Sequence, residues 1–186
     1  MEKTKAVELN HASLRKTNRI LWIAVTGLFM AMNIALATLG IPVPGGHLYL
    51  CDVIICTASM LLDPLGAFAV GGIGSFIGDY LFYQPPMFVS LVTHGIQAIV
   101  ISLIVGFFRT GRKPKFLRSL IALLIGAVIM VTGYTLGKIF VYSTLEYAIL
   151  KLPYEIAQAL IGVIVSLVIC YKGRLFWIFR RETEER

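Results

Sequence analysis

The sequence predicts an all-α integral membrane protein: one domain over residues 1–186, a bundle of six helices crossing the bilayer, with both termini in the cytoplasm. Three observations predict it. The first is composition: 58% of the 186 residues are hydrophobic and 15% are charged, and the mean hydropathy is +0.82, more oily surface than a soluble domain of this size can bury. A spanning helix takes about 20 residues to cross roughly 30 Å of hydrocarbon, so the length suits six spans and leaves no separate soluble domain.

The second observation is where the 17 Lys and Arg fall. Five precede the first apolar run (Lys3, Lys5, Arg15, Lys16, Arg19), five share one central loop (Arg109, Arg112, Lys113, Lys115, Arg118) and five follow the last run (Lys172, Arg174, Arg180, Arg181, Arg186). The positive-inside rule places all three clusters in the cytoplasm, so an even number of spans separates each pair: four between residues 20 and 108, two between 119 and 171. The net charge of +7 is thereby read as a topology signal. The clusters lack interleaved aromatics, and no nucleic-acid partner is expected.

The third is the set of seven prolines, at positions 42, 44, 64, 85, 86, 114 and 153. Proline breaks the helical ladder, so these mark the connections. The first span is then 20–39. Its end, Ala35-Leu36-Ala37, has the small-x-small form of a signal-peptidase site, but the apolar stretch is long for a signal core and a retained helix is expected. Ala31 and Ala35 form a small-x-x-x-small pair, which suits either packing within the bundle or docking of another membrane subunit. The second span, 48–62, is short and needs cover from its neighbours. The third, 65–82, carries Ala67, Gly71, Gly74 and Gly78, a continuous ridge of small residues that marks it as central. The remaining spans are 88–108, 119–141 (with Gly126, Gly133 and Gly137) and 153–171. Loops 40–47, 83–87 and 142–152 are external, and the Asp63-Pro64 turn and loop 109–118 are cytoplasmic.

An ionisable group near the centre of a span costs about 2.5–3.5 kcal/mol on insertion scales, so the depth of such groups points to a site. Asp52 opens span two, Asp79 closes span three, His94 lies about two turns into span four, Lys138 closes span five and Glu155 opens span six, all at the external level. The same level offers His47, Tyr49, Tyr80, Tyr83, Gln97, Tyr134, Tyr142, Glu146 and Gln158. The pairs His94/Gln97, Glu155/Gln158 and Tyr134/Lys138 are three or four residues apart and share a helix face. Together they have the make-up of a pocket for a small, polar, ring-containing ligand. A plainer account is also open, with the tyrosines as an interfacial belt, Asp52, Lys138 and Glu155 at headgroup level, and His94 and Gln97 in an interhelical hydrogen bond. Asp63 reads as a turn or cap residue, and Glu146 and Lys151 as solvated loop residues. Loop one, Ile41-Pro-Val-Pro-Gly-Gly-His47, has a stiff part and a hinge that suit a lid over the ligand, or a tight external turn.

Cys51, Cys56 and Cys170 form no Cys-x-x-Cys pair and read as packing residues, so no metal site is expected. Gly72-Ile-Gly74-Ser-Phe-Ile-Gly78 sits inside a span and is neither a nucleophile elbow nor a dinucleotide fingerprint. No cofactor and no ATP hydrolysis by this chain are expected.

Ala31-x-x-x-Ala35, loop one through His47, Gly71-Gly-Ile-Gly74-Ser-Phe-Ile-Gly-Asp79 and Thr93-His-Gly-Ile-Gln97 together resemble the S components, the substrate-binding membrane subunits of energy-coupling factor (ECF) vitamin transporters. The resemblance covers nearly the whole chain and is nearest to the branch that carries hydroxymethylpyrimidine and pyridoxine. It implies a multi-pass subunit of a prokaryotic plasma membrane that binds a water-soluble vitamin under loops one, three and five. It also implies partners, a transmembrane T component docking at Ala31 and Ala35 and two ATP-binding subunits, and delivery of the ligand by toppling in the bilayer. On this reading His94, Gln97, Glu155 and Gln158 hydrogen-bond the ligand, Asp79 and Lys138 add charge-assisted contacts, Tyr83 and Tyr134 stack on it, and His47 is a further binding residue. Two other classes stay open. A stand-alone proton-coupled transporter would use the same ionisable ring, though no repeat with broken helices is seen, and a membrane enzyme would use His94 and Asp79 as acid and base.

Overall fold

The computed structural model describes residues 15, 18–44, 46–106, 114–173 and 175–176. Most of the basic clusters (Lys3, Lys5 and Lys16; Arg109, Arg112 and Lys113; Arg174, Arg180, Arg181 and Arg186) therefore lie outside the described residues, as do Gly45 of loop one and residues 107–108 of the fourth predicted span.

The described chain is almost wholly helical, and five helices are long and apolar enough to cross a membrane: α1 (Arg19–Leu36), α3 (Pro64–Phe82), α4 (Met87–Gly106), α5 (Phe116–Tyr142) and α6 (Leu145–Lys172). A shorter apolar helix, α2 (Cys51–Leu61), lies between α1 and α3 in sequence. Their outward faces carry large apolar side chains such as Ile20, Val128 and Phe140, the last 78% exposed. A soluble monomer does not leave so much contiguous apolar surface to water, whereas a membrane protein gives it to lipid.

Helix α1 starts where the side chain of Asn18 accepts from Leu21 N at 3.0 Å, an N-cap that occupies one of the orphan donors of the first turn. Past Leu36 the chain turns into an antiparallel hairpin, β1 (Gly40–Val43) with β2 (Gly46–Tyr49), in which Pro42 faces His47. Loop one is thus a hairpin. Only a residue without a side chain suits Gly40, where a Cβ would come within 2.9 Å of His47 Cβ.

The centre of the bundle is α2. Every residue from Asp52 to Leu61 is buried, and at 1.5 Å per residue the helix is only about 16 Å long. It has the cover from neighbours that its shortness requires: α6, α4, α1 and α3 all pack on it. The carbonyl of Leu62, just past its end, accepts from Ser102 Oγ of α4 at 2.7 Å, so the backbone there is not left bare in an apolar interior. The expectation that span three is the central one is corrected accordingly, since α3 buries one face and leaves Ile73 and Leu81 exposed.

Asp63 caps α3, accepting from Gly66 N at 3.3 Å with Pro64 in the first turn, and also accepts from Trp22 Nε1 of α1 at 2.7 Å. The small residues of α3 do not form one ridge. A π-helical turn at Ala69–Ile73 inserts a residue and rotates the face. A Cβ on Gly71 would come within 2.8 Å of Ala98 Cβ and of the His94 carbonyl on α4, whereas Gly74 and Gly78 face Asn33 and Ala37, on α1 and just past its end. On α5, Gly126, Gly133 and Gly137 lie against Ile101, Thr93 and Val89 of α4, and a Cβ added to any of the three would come within 2.5 Å of that neighbour.

Pro153 does not mark a connection. Thr144 caps α6, accepting from Tyr147 N at 3.4 Å, and the helix begins at Leu145 and runs through Pro153. The predicted loop 142–152 shrinks to Ser143 and Thr144 as a result. A proline inside a helix forfeits one backbone bond, a loss that a helix packed on both neighbours absorbs.

Candidate functional site

At the hairpin end of the bundle, all six helices contribute to a cavity of about 310 Å³ with the hairpin alongside. Of the residues singled out in the sequence, His47, Asp79, Tyr83, His94, Tyr134, Lys138, Glu155 and Gln158 all line it. Gln97 is not on the wall but stands behind His94, and Ala31 and Ala35 are exposed on α1.

Three polar groupings, partly on the wall and partly behind it, tie the helices together. In the first, Asp52, 1% exposed, accepts from Gln97 Nε2 at 3.1 Å and from Gln158 Nε2 at 2.7 Å, joining α2 to α4 and α6. Gln97 Oε1 then lies 2.7 Å from His94 Nδ1. Because the amide nitrogen of Gln97 is committed to Asp52, its oxygen accepts, which puts a proton on His94 Nδ1. His94 packs edge-on to Tyr134 at 5.2 Å between centroids. Cys51 Sγ, an Asp52 oxygen and a His94 nitrogen fall within 4.8 Å of one another, a juxtaposition that the amides already bonded to Asp52 and His94 account for.

In the second grouping, Ser90 Oγ donates to Asp79 Oδ2 and lies 2.5 Å from Tyr134 OH. The serine has one proton to give, so Tyr134 donates to it, and a relay runs from α5 through α4 to α3. In the third, Lys138 of α5 and Glu155 of α6 form an ion pair, with both residues buried. Lys138 Nζ also lies 5.4 Å from the centroid of the Tyr134 ring. The three groupings give one face of the cavity a carboxylate–amide–imidazole chain and the other an ion pair. Tyr49, Tyr83, Tyr134, Tyr142, Tyr147 and Tyr154 lie among them, a surface able to stack on a flat ring and hydrogen-bond its edge.

Lys151 is not a solvated loop residue. It is 7% exposed, lies within α6 because that helix starts early, and its Nζ donates to the His47 carbonyl at 2.8 Å. Together with Tyr49 N, which donates to Gln158 Oε1 at 2.9 Å, it fastens the hairpin to α6. Glu146 is exposed, as expected, but it lies in the first turn of α6 and not in a loop. Sequence reading also passed over Asn33 and Ser75, which line the cavity, and Ser90. Asn33 had the best signal, an amide in the middle of an apolar run.

The family model described as ECF-type riboflavin transporter, S component, matches residues 17–173, most of the chain and all of the helical bundle. A protein of Pyrococcus woesei, described as an uncharacterized protein in gap 3′ region, is 30% identical over 139 residues, which cover 73% of this chain and 89% of that protein. The chain thus belongs to the ECF-type riboflavin transporter S component family, and it is a membrane transport subunit, not an enzyme, of the kind that binds a vitamin and works with a T component and ATPases.

Proposed function

We propose that this chain captures a small heteroaromatic vitamin from the outside of a prokaryotic cell and delivers it, occluded under the hairpin, by toppling in the plasma membrane. Both termini are cytoplasmic in this reading, and the hairpin end is external. The carrying observation is the tyrosine-walled cavity at the hairpin end, with its few buried polar groups, in a chain of this family. His94 and Gln158 hydrogen-bond the ligand's edge, with Gln97 holding His94. Asp79, Lys138 and Glu155 supply charge, Tyr83 and Tyr134 stack, and His47 rides on the closing hairpin.

At about 310 Å³ the cavity is at the lower end of the roughly 300–1,000 Å³ common for small-molecule sites. That size has room for a single-ring vitamin such as hydroxymethylpyrimidine or a pyridoxine-like compound. Riboflavin is the second reading, favoured by the description of the family.

Energy comes from partners, a T component and two ATP-binding subunits. The T component docks on α1, where Ala31 and Ala35 are exposed and a side chain added to Gly27 would meet nothing within 4 Å. Small residues on an exposed face let another helix approach closely. Ala31→Trp tests this against the stand-alone transporter. The variant should bind the vitamin as the wild type does and lose uptake in cells that hold the whole transporter. Proton-driven uptake by the chain alone in vesicles would overturn the proposal.

A further inference from the structure

Helix α1 touches the cavity at one polar residue. Asn33 is 1% exposed and lines the cavity. Its Nδ2 donates to the Val70 carbonyl, in the π-helical turn of α3, at 2.8 Å and to Ser75 Oγ at 3.1 Å. A carbonyl must receive a donor, so these bonds settle which end of the amide is nitrogen. The other end, Oδ1, is buried and has no hydrogen-bond partner among the described residues. The same is true of Glu155 Oε2, on α6, whose other oxygen holds Lys138. Buried acceptors left unpaired cost stability that a donor restores, and an apolar bundle has few to offer. Both residues line one cavity, and both lack the same thing.

We propose that Asn33 is a ligand-binding residue and that Asn33 Oδ1 and Glu155 Oε2 select a ligand presenting two separate N–H or O–H donors, one to α1 and one to α6. The inference rests on the vitamin-capture reading above and adds to it the donor pattern of the substrate and a contact from the first helix. Asn33 faces inward midway between Ala31 and Ala35, which are exposed on the opposite side of α1. A ligand held by Asn33 therefore braces the same helix that carries the exposed small residues.

The test uses the full chain in detergent and the vitamin that it binds best among hydroxymethylpyrimidine, pyridoxine and riboflavin. Calorimetry compares that vitamin with analogues in which one hydroxyl or amino group at a time is replaced by hydrogen or methyl. One analogue should bind the wild type about tenfold more weakly than the parent and bind Asn33→Ala no more weakly than the parent does. A merely structural Asn33 would lower the affinity for parent and analogues by one common factor, and that result overturns the inference. Asn33→Ser, which keeps a hydroxyl for the Val70 carbonyl, serves if the alanine variant does not fold. An independent readout needs no variant: the chain has three asparagines, and in infrared difference spectra of ¹³C-asparagine-labelled protein a side-chain carbonyl band should shift down on addition of the vitamin. No such shift overturns the inference while leaving vitamin capture standing. If none of the three vitamins binds the wild type, vitamin capture itself fails, and this inference with it.

Discussion

Asp52 shows how a single buried charge organises this protein. Its two oxygens accept from Gln97 and Gln158, amides on two different helices, so the carboxylate is held where a lone one would be expelled. Asp52→Asn keeps the size but sets an amide nitrogen against an amide donor. It should lower the thermal midpoint in detergent by the equivalent of about 2 kcal/mol and weaken vitamin binding as His94 loses its support. An unchanged midpoint would show that the network is not structural. Lys138 and Glu155 allow a sharper comparison. Lys138→Met or Glu155→Leu alone leaves an unpaired buried charge and should cost about 3–5 kcal/mol, whereas the double variant should recover most of that loss. Additive losses on unfolding would contradict the pairing. These residues were legible in the sequence because ionisable groups in apolar runs are costly and therefore conspicuous. Asn33 was passed over, since a neutral amide in an apolar run costs less than a charge and reads as helix packing. Lys151 was not either, because its role depends on where α6 begins.

Among the elements, the hairpin and the α4–α5 contact carry the next tests. The hairpin is fastened to α6 by Lys151 at the His47 carbonyl and by Gln158 at Tyr49 N. Lys151→Met removes one fastening without shortening the chain and should speed vitamin release several-fold in stopped flow, with a smaller effect on the association rate. Equal release rates would show that the hairpin does not gate the cavity. On α5, a Cβ at position 133 would fall 2.5 Å from Thr93, so Gly133→Val should destabilise the fold by about 1–3 kcal/mol and reduce the yield of monodisperse protein. Helix existence was legible from hydropathy, and so was the glycine packing of α5. The ends of helices were harder to read. Proline normally stops a helix, yet α6 runs through Pro153 because tertiary packing outweighs one lost backbone bond. The hairpin of loop one hid behind two prolines that look like a coil, and the π-helical turn of α3 split a small-residue ridge that an even 3.6-residue period draws as one.

For the whole molecule, composition alone points to lipid as the solvent, and the family match over residues 17–173 makes the chain a transport subunit. What composition cannot reveal is the nesting, in which the shortest helix, α2, is the most enclosed because the five longer ones pack around it. That arrangement lets a short helix hold Asp52 behind the cavity wall, where Gln97 and Gln158 bond it. It also leaves α1 mostly outside, with a buried stripe of only Thr26, Phe29 and Asn33, so that its outer face is available to a partner. The central claim is vitamin capture by this chain on its own, before any partner acts. It is tested most directly by mass spectrometry of the small molecules released from the purified chain. The account predicts one heteroaromatic vitamin at close to one per chain, with two or more hydrogen-bond donors. A chain that releases none, and that also fails to bind hydroxymethylpyrimidine, pyridoxine or riboflavin by calorimetry, would contradict it.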